Sequence, residues 1–375
     1  MSDQQQTGCK VLEVQKFFRS GNTLEDLLKQ YAIKYTFSEK NPTLVLLKYD
    51  MVESPFVEKI VRECRGIILD TRNWDIVCHP FHKFFNYGET YASMIDWRTA
   101  RVQEKLDGSL ANLYFFDGMW NISTSGMPDA SSNVGDFNVK FNQLFWDTFK
   151  ELGYTTEKLD RTCTYMFELM TPLNRVVVPH KTNGLTLIGA RVTMTGEEIV
   201  VSELAYLGFK IVKEFPLKTI DDIVSTFDAL NPLDQEGYVV LDKGFNRVKV
   251  KHPGYVRIHH IRDSVSMRSI MEIIQSGETP EFLTYYPEYT EIFDDASGRL
   301  SSLIDELQVV YDKVKDISVQ KDFAIAIKEL ELSAPLFSLR SGKVRSFREF
   351  FKNYNTRNLI KLLGLRDEEV SNTDE

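Results

Sequence analysis

Apolar positions recur along this chain with two different periods. Over residues 11–32, Val11, Leu12, Val14, Phe17, Phe18, Leu24, Leu27, Leu28 and Tyr31 fall at helical spacing and predict a helix. Short apolar runs then take over. They predict a strand over 43–49, a hairpin from Arg65–Asp70 and 74–78, and a strand over 110–116 turning at Asp117-Gly118 into 120–124. An amphipathic helix is expected over 138–152 (Val139, Phe141, Leu144, Phe145, Phe149, Leu152). Further strands follow over Cys163–Met170, 175–179, 185–191 and 197–201, the last two flanking a Thr195-Gly196 turn, and over 236–241 and Arg247–Lys251. Beyond about residue 262 alternation gives way to helical spacing, with Leu300, Leu303, Ile304, Leu307, Val310 and Tyr311, then Phe323, Ile325, Ile327 and Leu330. The pattern predicts an α+β protein: a domain of mixed, mainly antiparallel sheets over 1–260 and an all-α domain over 261–375.

Composition changes this picture little. A chain of 375 residues with 43% hydrophobic and 26% charged residues is an ordinary globular protein of two domains. Its four cysteines (Cys9, Cys64, Cys78, Cys163) form no CxxC pair, which argues against a zinc site or a disulfide framework. The polar start lacks a signal-peptide pattern, and no apolar run approaches the ~20 residues of a membrane span. A cytoplasmic monomer is expected, with a frayed acidic tail from Asp367. A net charge of −9 discourages nonspecific nucleic-acid binding, so any nucleic-acid contact must come from local basic clusters. The stretch from Arg340 to Arg366 is one. It carries eight basic residues against one acid, Glu349, interleaved with Phe347, Phe350, Phe351 and Tyr354, and reads either as a solvated amphipathic helix or as a phosphate-binding face.

The candidate chemistry begins at Glu104-Lys105-Leu106-Asp107-Gly108-Ser109. A lysine between apolar residues and before an Asp-Gly turn is a nucleophile if burial and nearby cations keep it from holding its proton. On its own the match is more often a loop lysine. Three further segments follow in order: Phe167-Glu168-Leu169, Glu236-Gly237-Tyr238-Val239-Val240 and Lys249-Val250-Lys251. Residues i and i+2 on a strand share a face, so both ammonium groups of the last can address one anion. Glu168 ends a strand and Glu236 begins one, where side chains reach a cleft rim. A nucleophilic lysine, paired lysines and carboxylates suit nucleotidyl transfer.

These four segments resemble the ordered motifs of the covalent nucleotidyltransferases, the ATP-dependent ligases and mRNA capping enzymes. Glu63-Cys64-Arg65-Gly66-Ile67, the segment Pro80-Phe81-His82-Lys83-Phe84-Phe85-Asn86, Asn174-Arg175-Val176-Val177 and Tyr255 narrow the resemblance to the T-even-type bacteriophage RNA ligase 1 family of tRNA-repair ligases. The resemblance implies an ATP-grasp-like ligase adenylation domain, with ATP as substrate and Mg2+, or alternatively Mn2+, as the metal. The partner it implies is RNA, a tRNA with a broken anticodon loop. It implies Lys105 as the adenylated residue and Lys249 and Lys251 as α-phosphate ligands. Glu168 would contact the nucleoside or the metal's hydration shell, and Glu236 a metal-bound water. Arg65 and Lys83 would meet phosphates, with Tyr49, Glu104, Asp107, Gly108 and Tyr255 completing the ATP site. Tyr49 reads equally as a packing residue and Asp107 equally as a turn residue. One departure stands out. The family's basic residue near the end of the strand after the Asp-Gly turn is absent, for the segment reads Asn121-Ile122-Ser123-Thr124-Ser125-Gly126. A DNA ligase or capping guanylyltransferase would share the core, but no OB-fold pattern follows Lys251. A catalytically inactive RNA-binding protein would not need the motifs intact.

Overall fold

The structure, a computed structural model, describes residues 11–366 except 136, 261–264, 329 and 331, so Cys9 and the expected acidic tail lie outside the described residues. The chain divides into two compact units after Tyr255, five residues before the boundary expected from the pattern. The described residues of the first unit form three sheets.

At the N-terminus the expected single helix over 11–32 is two, Glu13–Arg19 and Leu24–Tyr31. Gly21 at φ +95° breaks the path, and Thr23 caps the second helix. Its Oγ1 accepts from the Asp26 amide (3.1 Å), while the Asp26 carboxylate accepts from the Thr23 amide (2.8 Å). A strand not foreseen from the sequence, Ile33–Phe37, follows and edges an antiparallel sheet with Leu44–Tyr49, Arg65–Asp70 and Asp75–Cys78. Val45, Leu47, Ile67 and Leu69 of this sheet bury against the helices.

The second sheet runs Glu198–Ile199, Gly184–Val192, Cys163–Met170, Ser109–Phe116 and Met119–Ser123, with Lys210–Ile211 alongside Gly184–Val192. Alternation puts Ala111, Leu113, Tyr165, Phe167 and Leu169 on one face, where they pack on the helix Phe141–Glu151 through Phe141, Leu144, Phe145 and Phe149. Fully burying each such aliphatic or aromatic side chain contributes about 1.5–3 kcal/mol. Glu168, between Phe167 and Leu169, therefore faces the other way.

The third sheet runs Glu214–Phe215, Arg101–Lys105, Gly237–Leu241, Arg247–Lys251 and Phe85–Asn86, only the last pairing being parallel. Val102, Tyr238, Val240, Val248 and Val250 bury on one face. By alternation Gln103, Lys105, Val239, Lys249 and Lys251 share the other. The strand expected over 175–179 does not form. The Val177 and Val178 amides donate to Asp107 Oδ2 (2.9 and 2.6 Å) instead of to a neighbouring strand.

The second unit is helical in its described residues, with a 25-residue helix, Thr290–Val314, among shorter ones. Its core includes Met271, Phe282, Phe293, Phe323, Phe347, Phe351 and Leu359. The basic stretch forms the short helices Phe347–Lys352 and Thr356–Leu362 after Ala334–Arg340. Phe347 and Phe351 are core residues, and Phe350 and Tyr354 pack partly against that core, so the interleaved rings serve packing first. No described helix is long and apolar enough to cross a membrane.

Candidate active site

The centre of the site is one cross-strand row. Gly237 is in register with Lys105 on one side and Lys251 on the other, so both lysines emerge on the same face. Only glycine serves between them: φ is +145°, and a Cβ would lie 2.3 Å from the Val250 carbonyl oxygen. Glu236, just before that glycine, reaches both lysines. Lys105 Nζ donates to Oε2 at 2.6 Å, and Lys251 Nζ lies 3.2 Å from Oε1. Each oxygen of a carboxylate whose side chain is 5% exposed thus meets its own ammonium group. Lys249 and Arg247 continue the same face of the strand.

Glu168 stands on the second sheet, paired across to Leu110 and Thr186. Burial pushes its carboxyl up to about 7. Glu236 and Asp107 add to the rise, while Lys105 and Arg65 oppose it. A cavity of about 330 Å³ lies between the two faces. Arg65, Glu104, Lys105, Gly108, Glu168, Lys249 and Lys251 all line it, with Leu106, Ile188, Val212 and Val239 as apolar walls. That pairing of a cationic floor with apolar walls fits a phosphorylated nucleoside.

The Asp-Gly turn is held from below. Asp107 is buried; its Oδ2 takes the Val177 and Val178 amides and its Oδ1 the Tyr255 hydroxyl (2.7 Å), while His180 Nε2 donates to its carbonyl oxygen (2.6 Å). Asn174 Nδ2 reaches Ser109 Oγ (3.1 Å) and the Leu169 carbonyl oxygen (2.7 Å). Asp107 and Tyr255 therefore fix the position of Lys105 and do not line the cavity. Gly108 is needed because a Cβ would meet the Leu169 carbonyl oxygen at 2.4 Å.

Two expected residues lie to one side. Lys83 lines a neighbouring cavity of about 940 Å³. Its ammonium group is 5.2–5.4 Å from the rings of Tyr49, Phe56 and Phe85, which makes Tyr49 and Phe85 walls of an aromatic cage. Arg247, which the sequence reading passed over, lines both cavities. Its position two residues before Lys249 on an alternating strand was the available signal. Arg247 Nη2 lies 2.7 Å from Glu198 Oε2, and Arg191 Nη2 lies 2.5 Å from Glu198 Oε1. Burial alone would raise the Glu198 carboxyl, but the two guanidinium groups hold it at about 2. Burial, with the Arg191 charge nearby, pushes the His79 imidazole down to about 3; its Nδ1 lies against the Thr193 carbonyl oxygen and its Nε2 against His82.

Among the described residues no group of three or more His, Cys, Asp or Glu could hold a metal by itself. Glu168 and Glu236 fit the other mode, in which one or two carboxylates and substrate phosphates share a hydrated Mg2+.

A family model described as RNA ligase matches residues 63–255, which contains every residue of this site except the side wall at Tyr49 and Phe56. An RNA ligase of Rhodothermus phage RM378 is 27% identical over 315 residues, covering 65% of this chain and 72% of that one. RNA ligase 1 of bacteriophage TS2126 is 27% identical over 261 residues, covering 66% of this chain and 61% of its own length. Among solved structures, an archaeal ATP-dependent RNA ligase superposes with a TM-score of 0.47 at 12% identity, over 90% of this chain and 77% of that one.

Proposed function

The chain belongs to this RNA ligase family, and from that premise we propose that it joins RNA ends at the expense of ATP through an adenylated Lys105. The observation that carries the reading is the row Lys105–Gly237–Lys251 with Glu236 bridging its two ammonium groups under a cavity lined by Lys249 and Arg65. Glu236, 2.6 Å from Lys105, is the base in reach of the nucleophile's proton. Lys105 Nζ then bonds to the α-phosphorus, and the bond from that phosphorus to the bridging oxygen breaks to release pyrophosphate. Lys249 and Lys251 meet the charge that builds on the non-bridging oxygens. In the second step an RNA 5′-phosphate oxygen attacks the same phosphorus, the P–N bond breaks and Lys105 regains its proton. In the third, an RNA 3′-hydroxyl attacks the 5′-phosphate, AMP leaves and the strand is sealed. Bound Mg2+, or Mn2+, would be held through water by Glu168 and Glu236 and would offset phosphate charge.

The substrate we assign is a tRNA broken in its anticodon loop. The segments around Glu63–Gly66 and Pro80–Asn86 support this by resemblance, and the cationic stretch of the helical unit offers a surface for a folded RNA. Incubation with labelled ATP or labelled GTP tests the reading. Covalent label from ATP alone is expected. Label from GTP would make the protein a capping-type guanylyltransferase, and no label from either would leave an RNA-binding protein without this chemistry.

A further inference from the structure

Between residues 117 and 139 the chain has no lysine or arginine, yet the turn over 124–127 borders the Lys105 cavity through Ser125. Thr124 locks this turn: its amide donates to the Met127 carbonyl oxygen (3.0 Å), and its Oγ1 accepts from the Met127 amide (3.0 Å). A cation arrives from another sheet. Lys48, half-buried on Leu44–Tyr49, ends beside Gly126, where a methyl group would touch Lys48 Nζ at 3.4 Å. The ammonium group of Lys48 thus lies in contact distance of this turn. The two sheets abut firmly here, since a Cβ on Gly66 would meet Ser125 Cα at 2.8 Å.

Lys48 does not stand alone. It is in register with Arg65 on the adjacent antiparallel strand, and Arg65 lines the cavity with its Nη1 buried and unbonded among the described residues. The pairing falls at a shift in the register and sets two cationic side chains on neighbouring strands, within reach of one anion. We propose that Lys48 and Arg65 together bind a phosphate group at the edge of the Lys105 cavity, Lys48 supplying the cation that the 124–127 turn lacks. The inference rests on the ligase reading above. The phosphate is either that of ATP or the 5′-phosphate of the RNA.

Two single-turnover assays separate these sources: formation of lysyl–AMP from ATP, and transfer of AMP from isolated lysyl–AMP protein to 5′-phosphorylated RNA. Lys48→Met is expected to slow one of them by about 10²-fold, the effect of losing one pre-placed charge donor. The slowed step names the phosphate. Lys48→Arg should retain most of the rate, and the exchange Lys48→Ser with Ser125→Lys should restore it by placing the ammonium on the turn itself. Lys48→Gln, which keeps a long polar side chain, is read alongside in case methionine disturbs the fold, with thermal melting as the check. Wild-type rates in both assays for folded Lys48→Met or Lys48→Gln would overturn the proposal, as would an exchange variant that folds but recovers nothing. Failure of the wild-type protein to form lysyl–AMP would instead strike the ligase reading itself.

Discussion

Glu236 holds two ammonium groups with one carboxylate, so Lys105 and Lys251 depend on each other for position. Lys251→Ala and Lys249→Ala should each lower single-turnover adenylation by about 10²–10³, or ~2.7–4 kcal/mol of transition-state stabilisation. Near-normal rates for both would reduce these lysines to structural roles. Glu168 makes a second prediction at this scale. Its carboxyl ionises near 7, above the ordinary 4.5. Adenylation that needs the carboxylate should therefore rise as pH passes through 7, and Glu168→Gln should lack that rise. Stability follows the opposite course. The folded state keeps this proton where the unfolded chain has lost it, so the ligand-free protein should lose stability as pH climbs from about 4.5 to 7. Melting temperature against pH, compared with Glu168→Gln, shows whether this group is responsible.

At the scale of elements, the triad Arg191–Glu198–Arg247 joins two sheets: Arg191 and Glu198 belong to the one that carries Glu168, Arg247 to the one that carries Lys249. Glu198→Gln leaves two buried guanidinium groups without a counter-charge and should cost about 3–5 kcal/mol in urea denaturation at neutral pH. Because the folded carboxyl sits at about 2, below the ordinary 4.5, its contribution is complete above 4.5 and is lost as pH falls toward 2. The variant should show a shallower acid limb. Much of this level was legible in the sequence. Cys163–Met170 and Arg247–Lys251 form with the predicted bounds, because strict alternation and flanking turns leave little choice. The predicted strand over 175–179 failed for a reason that no local pattern carries, namely that Asp107, some 70 residues earlier in sequence, takes its amides. The break at Gly21 was visible as a glycine but was outweighed by helical spacing on both sides. The cage around Lys83 draws on Tyr49 and Phe56, and Lys48 reaches Gly126 across two sheets. Such placements depend on tertiary packing that spacing does not encode.

For the whole molecule, the residues assigned to adenylation all precede residue 256, while the exposed cations Lys343, Arg348 and Arg357 belong to the helical unit. Neutralising these three together should leave lysyl–AMP formation unchanged. It should weaken sealing of a nicked tRNA stem-loop more than circularisation of an unstructured oligonucleotide, and flatten the salt dependence of the stem-loop reaction. Equal losses on both RNAs would make the surface a general RNA contact. Whether Lys105 carries AMP is decided by offering Lys105→Ala two substrates in turn. No covalent adduct from labelled ATP is expected, while RNA already adenylated at its 5′ end should still be sealed, because the last step attacks the RNA adenylate and not the lysine. A Lys105→Ala protein that still takes label from ATP would contradict that assignment.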